Sequence, residues 1–301
     1  MSSPPAPPRV SERYRTAVVA TIVMVLAAAA VVDRGRTGVL TVGACDEAGA
    51  TPGERVPAGA IAALLGYETG RAVRLACADG DVAAAGAELV VVPALEFARL
   101  RADGHVALFA ARGHAPSDAD RAVLVARRGA SVDPSEVTAG DVVFQSADQV
   151  NGCWQQLRWL VEKGAGLPVD PRGLVFAPSP GRAERVVLEV ILGDRALGAC
   201  RLSDLQRLWE AGIVRRDEVA VLFDAPALPE WIVACGGADR KHFERVLSGL
   251  PSSLERAPGA LVRTLRERGV GGFEPVAPAA LDALDTLAEF ARREPARAGM
   301  P

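Results

Sequence analysis

Aromatic residues are scarce in this chain: they make up 5% of its 301 residues, and Tyr14 and Tyr67 are its two tyrosines. Grooves that stack sugars or bases on aromatic rings are therefore not expected. Histidine is scarcer still. His105, His114 and His242 are isolated, and no H-E-x-x-H pattern contains them. Neither G-x-S-x-G nor G-x-x-x-x-G-K-[ST] occurs. Cys235 and His242 share a segment, but a nucleophile needs a converging base and an orienting third group, so the chain does not read as an enzyme. No C-x-x-C or zinc-ribbon spacing links the five cysteines. A formal net charge of -3 gives no reason to expect nucleic acid or an anionic membrane surface as a partner.

What is present is apolar and rich in alanine: hydrophobic residues form 50% of the chain, enough for one large domain or two ordinary ones. Residues 1–16 open with a Pro/Ser-rich stretch expected to be disordered. Arg9, Arg13 and Arg15 then precede an apolar run from Ala17 to Val32. A basic segment before a run of this length is the layout of an export signal, and the run is slightly short for a membrane span. Cleavage and retention as a membrane anchor both fit. Arginines on the N-terminal side place the globular part outside the cytoplasm. Val42-Gly43-Ala44-Cys45 has the composition of a lipoprotein box but lies beyond the run, so Val39–Ala44 is read as a first strand.

From Thr37 onward apolar runs alternate with helical patterns, which predicts an α/β fold. Strands are expected at Val39–Ala44, Ala72–Ala76, Glu88–Val92, His105–Ala110 and Ala122–Ala126. Helices are expected at Pro57–Tyr67 and Ala94–Ala102. In the second half the spacing predicts strands at Val142–Phe144, Gly173–Phe176, Ala196–Cys200, Val219–Phe223 and Trp231–Ala234. Further helices begin near Cys153 and Ala183, at Leu202 and around Phe243, and continue over Leu254–Arg268 and from Leu281. Residues 294–301 are expected to be disordered.

One stretch carries most of the functional information. Val142-Val143-Phe144 leads into the polar loop Gln145-Ser146-Ala147-Asp148-Gln149-Val150-Asn151-Gly152, and a helix follows from about Cys153 to Lys163. A polar loop feeding a helix N-terminus is an anion trap, because the first N–H groups are free and the helix dipole favours negative charge. In α/β sheets ligands collect at the carboxyl ends of strands.

Several local patterns resemble the periplasmic solute-binding proteins of phosphate, phosphite and phosphonate ABC importers, over roughly Thr37 to Pro275. They are the strand, short helix and strand of Ala122–Arg128, Val132–Gly140 and Val142–Phe144. Leu192–Ala199 resembles a hydrophobic-G-x-x-D-V-G-A strand, Ala225-Pro226-Ala227-Leu228-Pro229 an S-P-P-x-P crossing, and Gly269–Pro275 a closing G-x-x-G-F segment. The resemblance implies a two-lobe, type 2 periplasmic-binding-protein fold. Lobe I would comprise 37–113 plus 224–293, and lobe II 114–223. It also implies a small oxyanion ligand held between the lobes, a permease or membrane sensor as partner, and no cofactor. A third possibility is a degenerate member without a small ligand, acting through protein contacts at the membrane.

The family's Ser/Thr ligand loop corresponds here to Gln149, Val150, Asn151 and Gly152, so only the glycine is kept. A family acid falls at Arg201, and a family tyrosine falls near Glu96. The candidate ligand residues are therefore Ser146, Gln149, Asn151, Gly152, Cys153, Arg201 and Glu96. Loss of the acid argues against an aminophosphonate, and Arg201 can grip an oxyanion as a bidentate fork. The cysteines support a second possibility. Cys45, Cys77 and Cys200 each follow an expected strand and Cys153 starts a helix, so they are either buried hydrophobes with one Cys45–Cys77 disulfide or a soft-ligand site for a metal or metalloid. Some relatives of the resembled family bind arsenite through cysteine. Cys153, at a helix N-terminus, is expected to be the more reactive thiol.

Overall fold

The computed structural model describes residues 38–44, 57–76, 86–113, 120–147, 149–178 and 182–292. The N-terminal apolar run, Cys45, Cys77, His114 and the C-terminal tail lie outside them. In chain order the elements are β1 (Val39–Gly43), α1 (Ala58–Thr69), β2 (Ala72–Ala76), β3 (Leu89–Pro93), α2 (Ala94–Ala102) and β4 (His105–Arg112). Next come β5 (Ala122–Arg127), β6 (Val142–Phe144), α3 (Gln155–Glu162), β7 (Val175–Phe176), α4 (Arg182–Leu192), β8 (Leu197–Arg201), α5 (Leu202–Glu210) and β9 (Val219–Ala225). The last are β10 (Trp231–Gly236), α6 (Arg240–Val246), α7 (Ser253–Arg256), α8 (Gly259–Glu267), β11 (Gly272–Pro275) and α9 (Pro278–Ala291).

The strands form two separate sheets, ordered β11-β4-β10-β3-β1-β2 and β7-β6-β8-β5-β9. In the first, β1 runs parallel to β2 and β3, while β10 is antiparallel to β3 and β4. In the second, β6 runs parallel to β7 and β8, and β5 is antiparallel to β8 and β9. The chain leaves the first sheet after β4 and returns to it between β9 and β10. Among the described residues no sheet runs through both halves. This is the fold class that the alternation of strands and helices predicted, with the N-terminal hydrophobic segment left outside the description.

Three apolar clusters hold this arrangement. One face of the first sheet packs Leu40, Val42 and Val91 against Ile61 and Leu65 of α1 and Leu265 of α8. One face of the second sheet packs Val123 and Val125 against Val186 and Val190 of α4 and Leu205 of α5. The third cluster is shared by the two sheets. It joins Val92 and Ile232 of the first sheet, with Phe97 of α2 and Leu287 of α9, to Leu124 and Phe144 of the second sheet and Leu157 of α3. Apolar contact, removed from water at about 25 cal/mol per Å², therefore continues from one sheet to the other.

Local chemistry explains most element ends. Gly70 ends α1 in the left-handed region, at φ 65°, where a side chain would be strained. The expected helix over Leu254–Arg268 is instead broken into α7 and α8. Pro258 has no N–H to donate, and it forces Ala257 to an extended ψ of 153°. The short helix expected within Val132–Gly140 is one turn, Pro134–Glu136, capped by the Asp133 carboxylate, which accepts from Ser135 N–H at 2.9 Å. Glu88 ties the edge of the first sheet together. Its Oε1 accepts from Thr41 N–H at 3.1 Å and from Arg71 Nη2 at 2.8 Å, and its Oε2 from Arg71 Nη1 at 2.8 Å.

Two tests follow from these contacts. A Cβ at Gly198 would lie 2.8 Å from Val186 Cγ1, 2.9 Å from Val190 Cγ2 and 3.2 Å from the Val186 carbonyl, whereas one at Gly59 meets nothing within 4 Å. Gly198→Ala should destabilise by about 1–3 kcal/mol through overpacking, read as a fall in Tm. Gly59→Ala should be neutral or stabilise by about 0.5–1 kcal/mol, so equal melting of the two variants would contradict the close strand–helix packing. Bonding to Arg71 holds the Glu88 carboxyl below its ordinary value of 4.5. Its contribution is present above that value and is lost as pH falls through the lowered pKa. Glu88→Gln should therefore flatten the loss of Tm below about pH 4.5, and an unchanged acid profile would remove Glu88 from that role.

Candidate functional site

The polar loop after β6 leads to a helix start wider than an ordinary α-turn and three residues earlier than expected. Gln149 occupies the cap position with extended backbone, and Val150–Trp154 form one π-turn ahead of α3. Trp154 N–H donates to the Gln149 carbonyl at 3.3 Å, and its indole N–H donates to the Ala147 carbonyl at 2.7 Å. The turn leaves the Val150 and Asn151 N–H groups pointing out of the helix end, as first-turn donors do.

Both donors are taken by one side chain. Val150 N–H donates to Glu230 Oε2 at 2.7 Å, and Asn151 N–H donates to Glu230 Oε1 at 2.9 Å. Asn151 Nδ2 reaches the same Oε1 at 2.9 Å and the Leu228 carbonyl at 2.7 Å. In return Asn151 Oδ1 accepts from Leu228 N–H at 2.9 Å and from Gln155 Nε2 at 2.8 Å. Glu230 immediately precedes β10 of the first sheet, and Asn151 follows β6 of the second. The helix N-terminus thus grips a carboxylate borne by the segment that connects the sheets.

A polar layer lies beneath. Gln156 is fully buried, and its Nε2 donates to the carbonyls of Asn151 at 2.7 Å, Cys200 at 3.1 Å and Val123 at 3.2 Å. Asp204 is buried and accepts from Gln145 Nε2 at 2.9 Å, Arg201 Nε at 2.9 Å and Arg207 Nη2 at 2.7 Å. Burial alone would lower the Arg201 pKa, but the Asp204, Glu230 and Asp120 carboxylates outweigh it and raise the value, so the guanidinium stays charged. Beside the seat lies a cavity of about 440 Å³, whose polar lining includes Arg112, Asp120, Arg121, Asn151, Glu230 and Glu274. Arg121 there is clasped by Asp224 through two bonds of 2.7 Å.

The expected site residues separate into groups. Ser146, Gln149, Asn151 and Gly152 are together at the helix start, with Arg201 close enough to feel Glu230. A Cβ at Gly152 would fall 2.2 Å from Gln149 Oε1, 3.0 Å from Gln145 Oε1 and 3.1 Å from Gln145 Cβ, so a side chain there would have to displace both glutamines. Glu96 is elsewhere in its bonding: it pairs with Arg99 along α2 at 2.5 Å. Cys153 is fully buried in the cluster shared by the sheets, so the reactive thiol expected there is shielded from solvent. Cys200 lies in the α4–α5 cluster and Cys235 in the α1–α8 cluster. Each described cysteine thus belongs to a different core, and no group of metal-ligating residues is found among the described residues. β1 and β2 are parallel neighbours with Gly43 opposite Ala76, as the Cys45–Cys77 expectation required of the strands, but both cysteines lie outside the described residues. Glu230 and Asp204 were missed by the sequence reasoning. The available signal was the crossing itself: Pro226 and Pro229 mark it, and Glu230 is the carboxylate that directly follows them.

A family model described as the ABC transporter, phosphonate, periplasmic substrate-binding protein matches residues 59–281. No curated protein matches. Among solved structures, XAC2383 from Xanthomonas citri bound to ATP is 16% identical, with 84% of this chain and 97% of that one covered and a TM-score of 0.54. The same protein bound to chloride ion gives 16% identity, the same coverage of 84% and 97%, and a TM-score of 0.53. PhnD1 from Prochlorococcus marinus in complex with methylphosphonate is 14% identical, covering 83% of this chain and 97% of that one, with a TM-score of 0.49.

Burial sets the thiol chemistry. It raises the Cys200 pKa well above the ordinary thiol range, with the Asp204 charge adding to the effect and Arg201 opposing it. Burial, then Asp239 and Glu244, pushes Cys235 up to about 11. Since the thiolate is the reactive form, Cys153, Cys200 and Cys235 should resist maleimide in the native protein and react after unfolding. Labelling of Cys153 at the rate of a free peptide thiol would contradict its burial. In unreduced, unfolded protein three labelled thiols rather than five would support a Cys45–Cys77 disulfide.

Proposed function

The chain belongs to the ABC transporter phosphonate periplasmic substrate-binding family, and on that premise we propose that it captures a small oxyanion between its two sheets and presents it to an importer or a membrane sensor. The family consists of substrate-binding transport proteins that work outside the cytoplasm, with ABC permeases, rather than of enzymes. The observation that carries the ligand reading is the grip on Glu230. Two main-chain N–H groups and the Asn151 amide converge on one carboxylate at 2.7–2.9 Å. A seat that takes a carboxylate in this way has the chemistry to take a phosphonate, phosphite or phosphate oxygen pair. Arg201 supplies a retained positive charge nearby.

The lobes of this reading are residues 37–113 plus 224–293 and residues 114–223. The division is supported by the membership of the sheets, with β9 on the edge of the second one. The cavity of about 440 Å³ beside the seat is within the usual range for small-ligand sites and offers an entry to it. The apolar run at Ala17–Val32 would provide export or anchoring. No helix among the described residues is long and apolar enough to cross a membrane.

Thermal shift against phosphate, phosphite, methylphosphonate, ATP and arsenite tests the reading. Ligand at 100 times its Kd stabilises the native state by about 2.7 kcal/mol, which is a shift of several degrees for a chain of this size. At least one oxyanion should raise Tm at millimolar concentration, and Arg201→Ala should reduce that shift. A shift with arsenite alone would replace the oxyanion reading with the thiol one.

A further inference from the structure

We propose that Glu230 is an internal ligand: its carboxylate fills the anion seat, joins the two sheets in the absence of solute, and makes every external oxyanion compete for the same donors. The inference rests on the reading of the helix N-terminus as the oxyanion seat. It goes further by assigning the residue that sets the seat's occupancy and selectivity.

The geometry shows a filled receptor. Both carboxylate oxygens of Glu230 are bonded, one to Val150 N–H and the other to Asn151 N–H and Nδ2. These are the groups that an oxyanion at this seat would need. The contact is reinforced on either side, since Asn151 exchanges two bonds with the Leu228 main chain and Gln155 Nε2 donates to the Pro226 carbonyl at 3.1 Å. The whole crossing segment is therefore fastened to the start of α3. Behind it, the apolar cluster common to both sheets adds contact that needs no solute. Most two-lobe receptors gain their closing contacts from a bound solute. Here the chain supplies the anion as well as the apolar contact.

Competition of this kind has a defined effect on affinity. A tethered group acts at an effective concentration of about millimolar or more. A ligand that binds only the vacated seat sees its apparent Kd raised by the inverse of the vacant fraction. Selectivity follows from the same contact. A weakly held monoanion such as acetate gains nothing that Glu230 does not already provide. A ligand succeeds only if it adds contacts beyond the seat, in the cavity lined by Arg112, Arg121 and Asn151. The wild-type protein should therefore reject simple anions and respond only to a larger or more highly charged oxyanion.

The test uses the full chain with Glu230→Ala, and Glu230→Gln as a second variant that keeps the volume and loses the charge. Methylphosphonate and acetate are titrated calorimetrically, and hydrogen exchange is followed at the Val150 and Asn151 amides without ligand. The expected result is binding at least about tenfold tighter to the variants than to wild type. Acetate should bind Glu230→Ala detectably and restore part of its lost melting temperature, and the two amides should lose protection in both variants. Equal affinity of wild type and variants for methylphosphonate would leave the oxyanion function standing and overturn the internal ligand. Absence of binding to all three proteins, with protection lost in the variants, would support Glu230 as the closing group and overturn the choice of oxyanion as ligand. Absence of binding with unchanged protection would overturn both.

Discussion

The bonds between Glu230 and the first turn of the helix at Val150 are the contact on which the rest of the arrangement turns. A helix start leaves main-chain donors with no partner inside the helix. Burying them unpaired would cost roughly 1–3 kcal/mol each. A carboxylate answers two of them at once and meets the favourable end of the helix dipole, a further 0.3–1 kcal/mol or so. The same carboxylate would be costly to hold in the interior without such partners. Each side therefore solves the other's problem. Because the donors follow β6 and the acceptor precedes β10, the solution also fixes the two sheets against each other.

The apolar cluster shared by the sheets acts together with that fixing. Val92, Ile232 and Leu287 on one side meet Leu124, Phe144 and Leu157 on the other in the arrangement where the crossing segment lies against α3. Polar and apolar terms point the same way, and Asn151 is the residue at which they join. It is buried to 1% exposure and bonds to Leu228, Gln155 and Glu230 together. The buried layer of Gln156, Gln145, Asp204 and Arg201 gives the seat a rigid floor, with one acid holding two arginines and an amide. A seat built this way is preorganised for an anion whether the anion comes from the chain or from outside it.

Regular elements were legible in the sequence because their signals are local. Ala72–Ala76, Ala94–Ala102 and Val142–Phe144 lie where alternation and flanking residues put them. The helix expected over Leu254–Arg268 misled because apolar spacing continues through Pro258, and the pattern outweighed the proline until the backbone showed the break. The loop residues from Ser146 to Gly152 were found as a cluster because a polar loop before a helix has one physical meaning. Their occupant could not be found in that way. Glu230 is 79 residues from Asn151 in the chain, and nothing in its neighbours distinguishes it from a solvated acid after a proline. Glu96, placed by resemblance where a family tyrosine falls, pairs along its own helix with Arg99. Cys153 was read from the helix start alone, and the core that buries it comes from the other sheet.

The central claim is that the sheets are held together by the chain's own carboxylate before any solute arrives. The most direct measurement is the distance distribution between spin labels on the two sheets, at exposed positions such as Arg263 on α8 replaced by cysteine for one label and Arg185 on α4 for the other, in a background with the native cysteines buried or oxidised. In ligand-free wild type the account predicts a single narrow distance that methylphosphonate leaves unchanged or lengthens, and a broader, longer distribution for Glu230→Ala. A broad distribution in ligand-free wild type that narrows and shortens when methylphosphonate is added would contradict it.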